Sequence, residues 1–173
     1  MQYRCSGAQR GFTLLESLFV LAIIAWLMTT AAPHFHDQLS AARALAGARQ
    51  LYSAVHLARS MAQATASKVS LCPSVHAVTT LNDCRGHFGQ TISAIHASSS
   101  GDKVLRVWSP LPEVTVLNRL GTQRVTGPIQ WQPDGLSNRN LTLSVCAEDH
   151  NWSVVLNRLG RPRLAKGWGR CPE

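Results

Sequence analysis

GFTLLESLFVLAIIAWLMTTAA, residues 11–32, is the stretch on which the reading of this chain turns. From Phe12 to Ala32 it is almost wholly apolar, Glu16 is its one charge, and Pro33 follows it. At about 1.5 Å per residue, a helix of that length reaches about 30 Å, the thickness of a bilayer core. A helix buried in a globular core is seldom apolar on every face, so the segment reads as membrane-spanning. Residues 1–11 carry Arg4 and Arg10 and no acid, and no comparable basic cluster follows the segment directly. That asymmetry leaves the N-terminus in the cytoplasm and the remainder outside, in the periplasm if the cell is Gram-negative. A cleaved secretory signal ending among Thr29, Thr30, Ala31 and Ala32 is the competing reading. Glu16 argues against it, because a carboxylate inside a spanning segment costs ~2–3 kcal/mol and calls for a partner.

The whole chain has 173 residues, 45% hydrophobic and 15% charged, which suits one domain plus an anchor and excludes a disordered chain. Lys and Arg number 17 against nine acids, a formal +8, and only Lys68, Lys103 and Lys166 are lysine. An arginine-rich basic balance favours anionic partners: nucleic acid, acidic lipid or acidic protein surfaces. The five cysteines form no C-x-x-C pair, against a zinc ribbon or a thioredoxin-type motif. No G-x-S-x-G, P-loop, H-E-x-x-H or dinucleotide fingerprint is present, and the acids form no paired-carboxylate site. His34 and His36 would face different sides of a helix, while His56, His76, His87, His96 and His150 are scattered. No enzyme, metal or cofactor is expected.

With Glu16 in place, GFTLLESLFVLAIIA resembles the class III signal of type IV pilins and pseudopilins. The resemblance implies that a prepilin peptidase cuts after Gly11 and methylates the new amine on Phe12. It implies that Glu16 meets an N-terminal amine within the assembled filament, and that Pro33 bends the helix. Localisation follows: a single-pass inner-membrane protein with a periplasmic head, later assembled with other major and minor pilins into a pilus at the cell surface. Residues 1–11 would be the leader and 12–33 the transmembrane and assembly helix. Loss of the leader removes Arg4, Arg10 and Cys5, leaving a formal +6 and four cysteines. Four cysteines in an oxidising compartment admit three pairings. Cys72–Cys84 with Cys146–Cys171 is preferred because each pair closes a short local loop, and free buried cysteines are the alternative.

After Pro33 the helix is expected to continue, amphipathic, over residues 34–67. Leu45, Ala48, Tyr52, Val55, Ala58 and Ala62 recur at three- and four-residue steps and form one apolar stripe in an alanine-rich stretch. From Lys68 the pattern changes to short alternating runs broken by Gly, Pro, Asn and Asp. Residues 69–72, 91–95, 103–108, 114–117, 128–132, 141–145 and 152–156 read as strands. PDG at 133–135 and DHN at 149–151 read as hairpin turns, and SSSGD at 98–102 as a flexible loop. The expected architecture is α+β, a type IV pilin fold. A long N-terminal helix packs on an all-β head, residues 68–173, of about seven strands. The hexamer VLNRLG occurs at 116–121 and again at 155–160. It reads as a coincidence of two strand-to-turn junctions, closed by Gly121 and Gly160.

The C-terminal NWSVVLNRLGRPRLAKGWGRCPE, residues 151–173, holds Arg158, Arg161, Arg163, Lys166 and Arg170 against Glu173 alone. Gly160 permits a tight turn and Pro162 stiffens the next step. In an extended chain Arg161 and Arg163 point the same way, about 6–7 Å apart, near the spacing of successive phosphates on one DNA strand. The planar guanidinium fork suits phosphate. Gly167 and Gly169 would make the end pliable, Trp168 would offer a stacking face, and a Cys146–Cys171 bridge would pin the segment. A solvated basic face that only confers solubility is the bland alternative.

LCPS at 71–74 with Cys84 downstream, WQPDG at 131–135, and LNRLGRPR before a last cysteine are similar to the FimT/GspH group of minor pilins and pseudopilins. GRPR at 160–163 matches the Gly-Arg-x-Arg motif with which FimT-type minor pilins bind DNA in natural transformation. The resemblance implies sequence-independent DNA binding by the segment 157–171, through Arg161 and Arg163 with Arg158, Lys166 and Arg170. Arg119 and Arg124 extend the patch if their loop folds nearby. A type II secretion pseudopilin, or a structural priming or tip subunit without a ligand, are the rival expectations.

Overall fold

The structure, a computed structural model, describes residues 13–98 and 101–172, with the backbone alone at 30–33. The leader, Gly11 and Phe12 lie outside the described residues. One helix, α1 (Leu14–Ala64), precedes eight strands: β1 (Val69–Ser74), β2 (Thr91–Ser98), β3 (Gly101–Trp108), β4 (Thr115–Leu117), β5 (Ile129–Trp131), β6 (Leu141–Ala147), β7 (His150–Leu156) and β8 (Pro162–Lys166). A short 3-10 turn, Leu81–Asp83, lies between β1 and β2.

Residues up to Gln38 form one unit and Leu39–Glu173 the other. In the first, Thr13 caps the helix: its Oγ1 accepts from the Glu16 N–H at 3.3 Å. Thr-x-x-Glu is the sequence signature of such a start. Large apolar side chains from Leu14 to Met28 are exposed, and α1 is long and apolar enough to cross a membrane.

In the second unit α1 buries Ala44, Ala48, Leu51, Val55, Ala58 and Ala62, steps of three and four. Leu45 and Tyr52, expected on the stripe, are half-buried flanks instead, with Ala44 and Leu51 at its centre. The helix also ends earlier than the expected Ser67. Ala66 takes the left-handed conformation (φ 48°), Ser67 N–H donates to the Ala62 carbonyl at 3.2 Å, and Ala66 N–H to that of Gln63 at 3.4 Å. This is a Schellman-type stop built on Ala rather than Gly, so no glycine marks it in the sequence.

The strands make two antiparallel sheets, ordered β3-β2-β1-β5 and β4-β6-β7-β8. One core joins both to α1: Leu51 and Val55 of the helix cluster with Val69, Leu71, Ile92, Ile129, Trp131, Leu143, Val145, Val154 and Leu156. Among the described residues every buried one lies at position 40 or beyond, so the head carries its own core.

Eight strands replace the expected seven. The addition, β8, pairs with β7 from Leu156↔Pro162 to Trp152↔Lys166. Proline at its first position is tolerated because β8 is an edge strand, whose outer N–H groups face no neighbour. Residues 98–102 are not simply a loop: β2 runs to Ser98 and β3 starts at Gly101, paired to each other. The turn near 149–151 sits at Glu148 (φ 48°) and Asp149, and His150 and Asn151 already belong to β7. The PDG segment does turn, with Gly135 N–H donating to the Gln132 carbonyl at 2.8 Å.

Gly160 combines a left-handed φ of 71° with close packing. A Cβ there would run into the Gly135 carbonyl and the Trp131 indole, whose Nε1–H donates to the Gly160 carbonyl at 3.2 Å. Gly167 has a similar φ, 66°, in open space. Gly167→Ala should therefore cost only the backbone term, about 1 kcal/mol, and Gly160→Ala more than about 2 kcal/mol. Urea unfolding of the detergent-solubilised protein measures both.

Candidate nucleic-acid interface

The repeated hexamer folds the same way twice. After β4, Gly121 N–H donates to the Asn118 carbonyl at 3.0 Å and Thr122 N–H to Asn118 Oδ1 at 3.0 Å. After β7, Gly160 N–H donates to the Asn157 carbonyl at 2.9 Å and Arg161 N–H to Asn157 Oδ1 at 3.1 Å. Gly121 (φ 74°) and Gly160 (φ 71°) close the turns. Asparagine mimics a backbone turn with its side chain, and glycine supplies the positive φ, so the shared sequence has a shared physical cause. Both turns leave the same end of their sheet, since β4 and β7 each run antiparallel to β6. Each presents an exposed arginine at its second position, Arg119 or Arg158. Each arginine's carbonyl is held by another segment, Arg119 by the Arg170 N–H at 3.0 Å and Arg158 by the Ser137 N–H at 3.1 Å.

The chain beyond β8 folds back over the outer face of β6 and β7. Gly167 N–H donates to the Asn151 carbonyl at 3.2 Å, and Gly169 N–H to Ser153 Oγ at 2.9 Å. Asn151 Nδ2 donates to the Gly169 carbonyl. Cys146 and Cys171 are bonded, as are Cys72 and Cys84. The segment is thus fastened on both sides of Trp168, contrary to the expected pliability. Gly169 is there for closeness, since a Cβ at that position would run into Ser144 Oγ.

Trp168 is 47% exposed. The Arg119 guanidinium carbon lies 5.0 Å from its ring centroid and that of Arg163 lies 5.4 Å away, both within cation–π range. The indole expected to offer a stacking face therefore holds two guanidinium groups.

Arg158, Arg161, Arg163, Lys166 and Arg170 are all exposed, and among the described residues none of them is in an ion pair with a carboxylate. Arg119 joins Arg163 through Trp168, but Arg124 turns elsewhere. Its Nη1 donates to His87 Nε2 at 2.9 Å. Burial first, then the Arg124 charge, hold the His87 imidazole below its ordinary value of 6.5. Among the described residues no group of three His, Cys, Asp or Glu side chains is arranged to hold a metal. Basic density in the sequence pointed to 157–171; the part played by Trp168 did not show there, although the duplicated hexamer was a signal for Arg119.

The family profile for the type II transport protein GspH matches residues 47–160, more than half of the chain, and the prokaryotic N-terminal methylation motif matches residues 7–32. Arg161, Arg163 and Trp168 lie beyond the GspH match. Among solved structures, the type IV minor pilin FimU of Pseudomonas aeruginosa is similar, with a TM-score of 0.54 at 16% identity, covering 76% of this chain and 92% of that one. The minor pseudopilin EpsH of the Vibrio cholerae type II secretion system gives 0.53 at 13%, covering 75% and 99%. At such identities the likeness is one of fold. No curated protein matches the sequence.

Because the folded value of His87 is depressed, the unfolded chain takes up that proton first as the pH falls below about 6.5, and acidification removes stability. An NMR titration should find the imidazole titrating below 6.5 and partly restored toward it in Arg124→Gln; an unmoved midpoint would remove Arg124 as a cause.

Proposed function

The chain belongs to the GspH family of type II transport proteins, and from that premise we propose that it is a minor pilin whose head binds DNA without regard to sequence, supporting uptake in natural transformation. The observation that carries the reading is the exposed pair Arg161 and Arg163 at the start of edge strand β8, not paired with a carboxylate among the described residues. Arg158, Lys166 and Arg170 are further exposed cations on the same segment, and Arg119 adds its charge from the other twin turn. Guanidinium groups donate paired N–H bonds to phosphate oxygens, and phosphate contacts carry no base information. Binding of this kind proceeds by release of counterions from the DNA. Three to five such contacts give about micromolar affinity or weaker for one subunit, which several copies in a filament raise by avidity. The N-terminal apolar helix and the methylation motif fit an inner-membrane anchor and later assembly with other pilins. Prepilin peptidase cleavage after Gly11, methylation of Phe12 and pairing of Glu16 with a filament amine belong to the same proposal.

A second reading has its own support. The family is described by type II transport, and EpsH belongs to a type II secretion system. A pseudopilin would take another pseudopilin or a secreted protein as partner. Deleting the gene separates the two: loss of secretion with transformation intact favours the pseudopilin.

The direct test is fluorescence anisotropy of a labelled duplex with the full chain in non-ionic detergent, across a salt series. The logarithm of affinity should fall with the logarithm of salt by about 0.9 per phosphate neutralised. Arg161→Gln with Arg163→Gln should weaken binding about tenfold and flatten that slope by about 1.8. Unchanged binding by the folded double variant would remove the site.

A further inference from the structure

Arg119 and Arg163 reach the same indole from opposite edges of one sheet. Arg119 follows edge strand β4, Arg163 lies within edge strand β8, and β6 and β7 separate the two. The guanidinium carbons lie 5.0 Å and 5.4 Å from the Trp168 centroid, so the charges are no further apart than those distances laid end to end. Like charges so close repel, and long arginine side chains on separate edges have no reason to converge unless something holds them. The ring face supplies the attraction.

The backbone that carries the ring is fixed. The N–H groups on either side of it, Gly167 and Gly169, donate to Asn151 and Ser153 of β7. Beyond it, Arg170 N–H donates to the Arg119 carbonyl, which ties the first twin turn to the same segment. Gly121 meets the Arg170 carbonyl so closely that a Cβ would lie 2.8 Å from it. Cys171 anchors the segment covalently to Cys146 of β6.

We infer that Trp168 is a positioning residue that clamps Arg119 and Arg163 into one composite site for two backbone phosphates. The inference rests on the DNA reading above and deepens it. A guanidinium held by a carboxylate gives up its charge and its donors; one held by a ring face keeps its charge, and its N–H groups stay open to an anion. The indole therefore sets the separation of two cations without neutralising either. Because it is engaged by guanidinium groups, it does not serve as a platform for bases. Duplex and single-stranded DNA are then read alike, through their phosphates.

The test compares Trp168→Ala, Trp168→Phe, Arg119→Gln and the Arg161/Arg163 double glutamine variant, each as the full chain in non-ionic detergent. Each is titrated across a salt series with a labelled duplex and with a single strand of equal length. Trp168→Ala should lower affinity several-fold, about threefold to tenfold, and flatten the salt slope by about 0.9, the loss of one ordered phosphate contact. Trp168→Phe, which keeps a ring face, should restore most of both. Arg119→Gln, on an exposed turn, should reproduce the loss and leave little more for Trp168→Ala to remove. Wild-type affinity and slope in Trp168→Ala and in Arg119→Gln, with binding weakened in the double glutamine variant, overturn the clamp and leave the DNA reading standing. A loss in Trp168→Ala confined to the single strand overturns it too, since the indole would then be stacking on bases. No change in the double glutamine variant ends the DNA reading itself. Should Trp168→Ala fail to fold, Arg119→Gln and Trp168→Phe decide.

Discussion

Small side chains down the middle of α1 set how near the helix comes to the sheets, and the head is organised around that approach. Ala44, Ala48, Ala54, Ala58 and Ala62 are fully buried, and a Cβ on Gly47 would sit 3.1 Å from Val145. The bulk of the core comes from the other side, from Trp131, Phe88, Ile92, Ile129 and Leu143. Close packing of this kind tolerates neither a void nor an added methylene without loss. It fixes the helix against both sheets at once, and the sheets in turn fix the ends of their strands, from which the twin turns leave.

The outer faces of the two sheets are finished in parallel ways. On the first, the chain between β1 and β2 lies over the sheet, with Cys72, Cys84 and Ile95 clustered under Val78 and Leu81, and Val78 N–H donating to Ser93 Oγ. On the second, the C-terminal segment lies over Ser144 and Ser153. Each covering segment ends in a cystine: Cys72–Cys84 on one side, Cys146–Cys171 on the other. Small serines beneath let backbone approach backbone. Only the second cover gathers charge, because only it carries an indole with an arginine within reach on either flank.

Much of this was readable in the residues. The apolar run announced the helix, and seven strands showed as alternating runs. The eighth did not, because an edge strand with one face in solvent needs few apolar residues; Leu164 and Ala165 are all it offers, and its pairing comes from β7. The centre of the helix stripe lies at Ala44 and Leu51 because the buried face runs through 44, 48, 51, 55, 58 and 62, which leaves the adjacent Leu45 and Tyr52 on its flanks. Exposed arginines in 157–171 followed from local charge. The meeting of Arg119 with Trp168, and of Arg124 with His87, depends on segments far apart in the chain, and no local pattern encodes it.

A filament of pilin-like subunits crowds its heads together, and crowding is hazardous for β-sheets with open margins, since unpaired strands recruit one another into aggregates. All four margins here are blunted. β4 and β5 are three residues long; β3 carries Lys103 and Arg106 and is offset by a register break at Ala94/Ile95; β8 opens on Pro162 and closes on Lys166. The head is thereby a poor template for strand exchange, and neighbours can be stacked densely while their sheets stay separate.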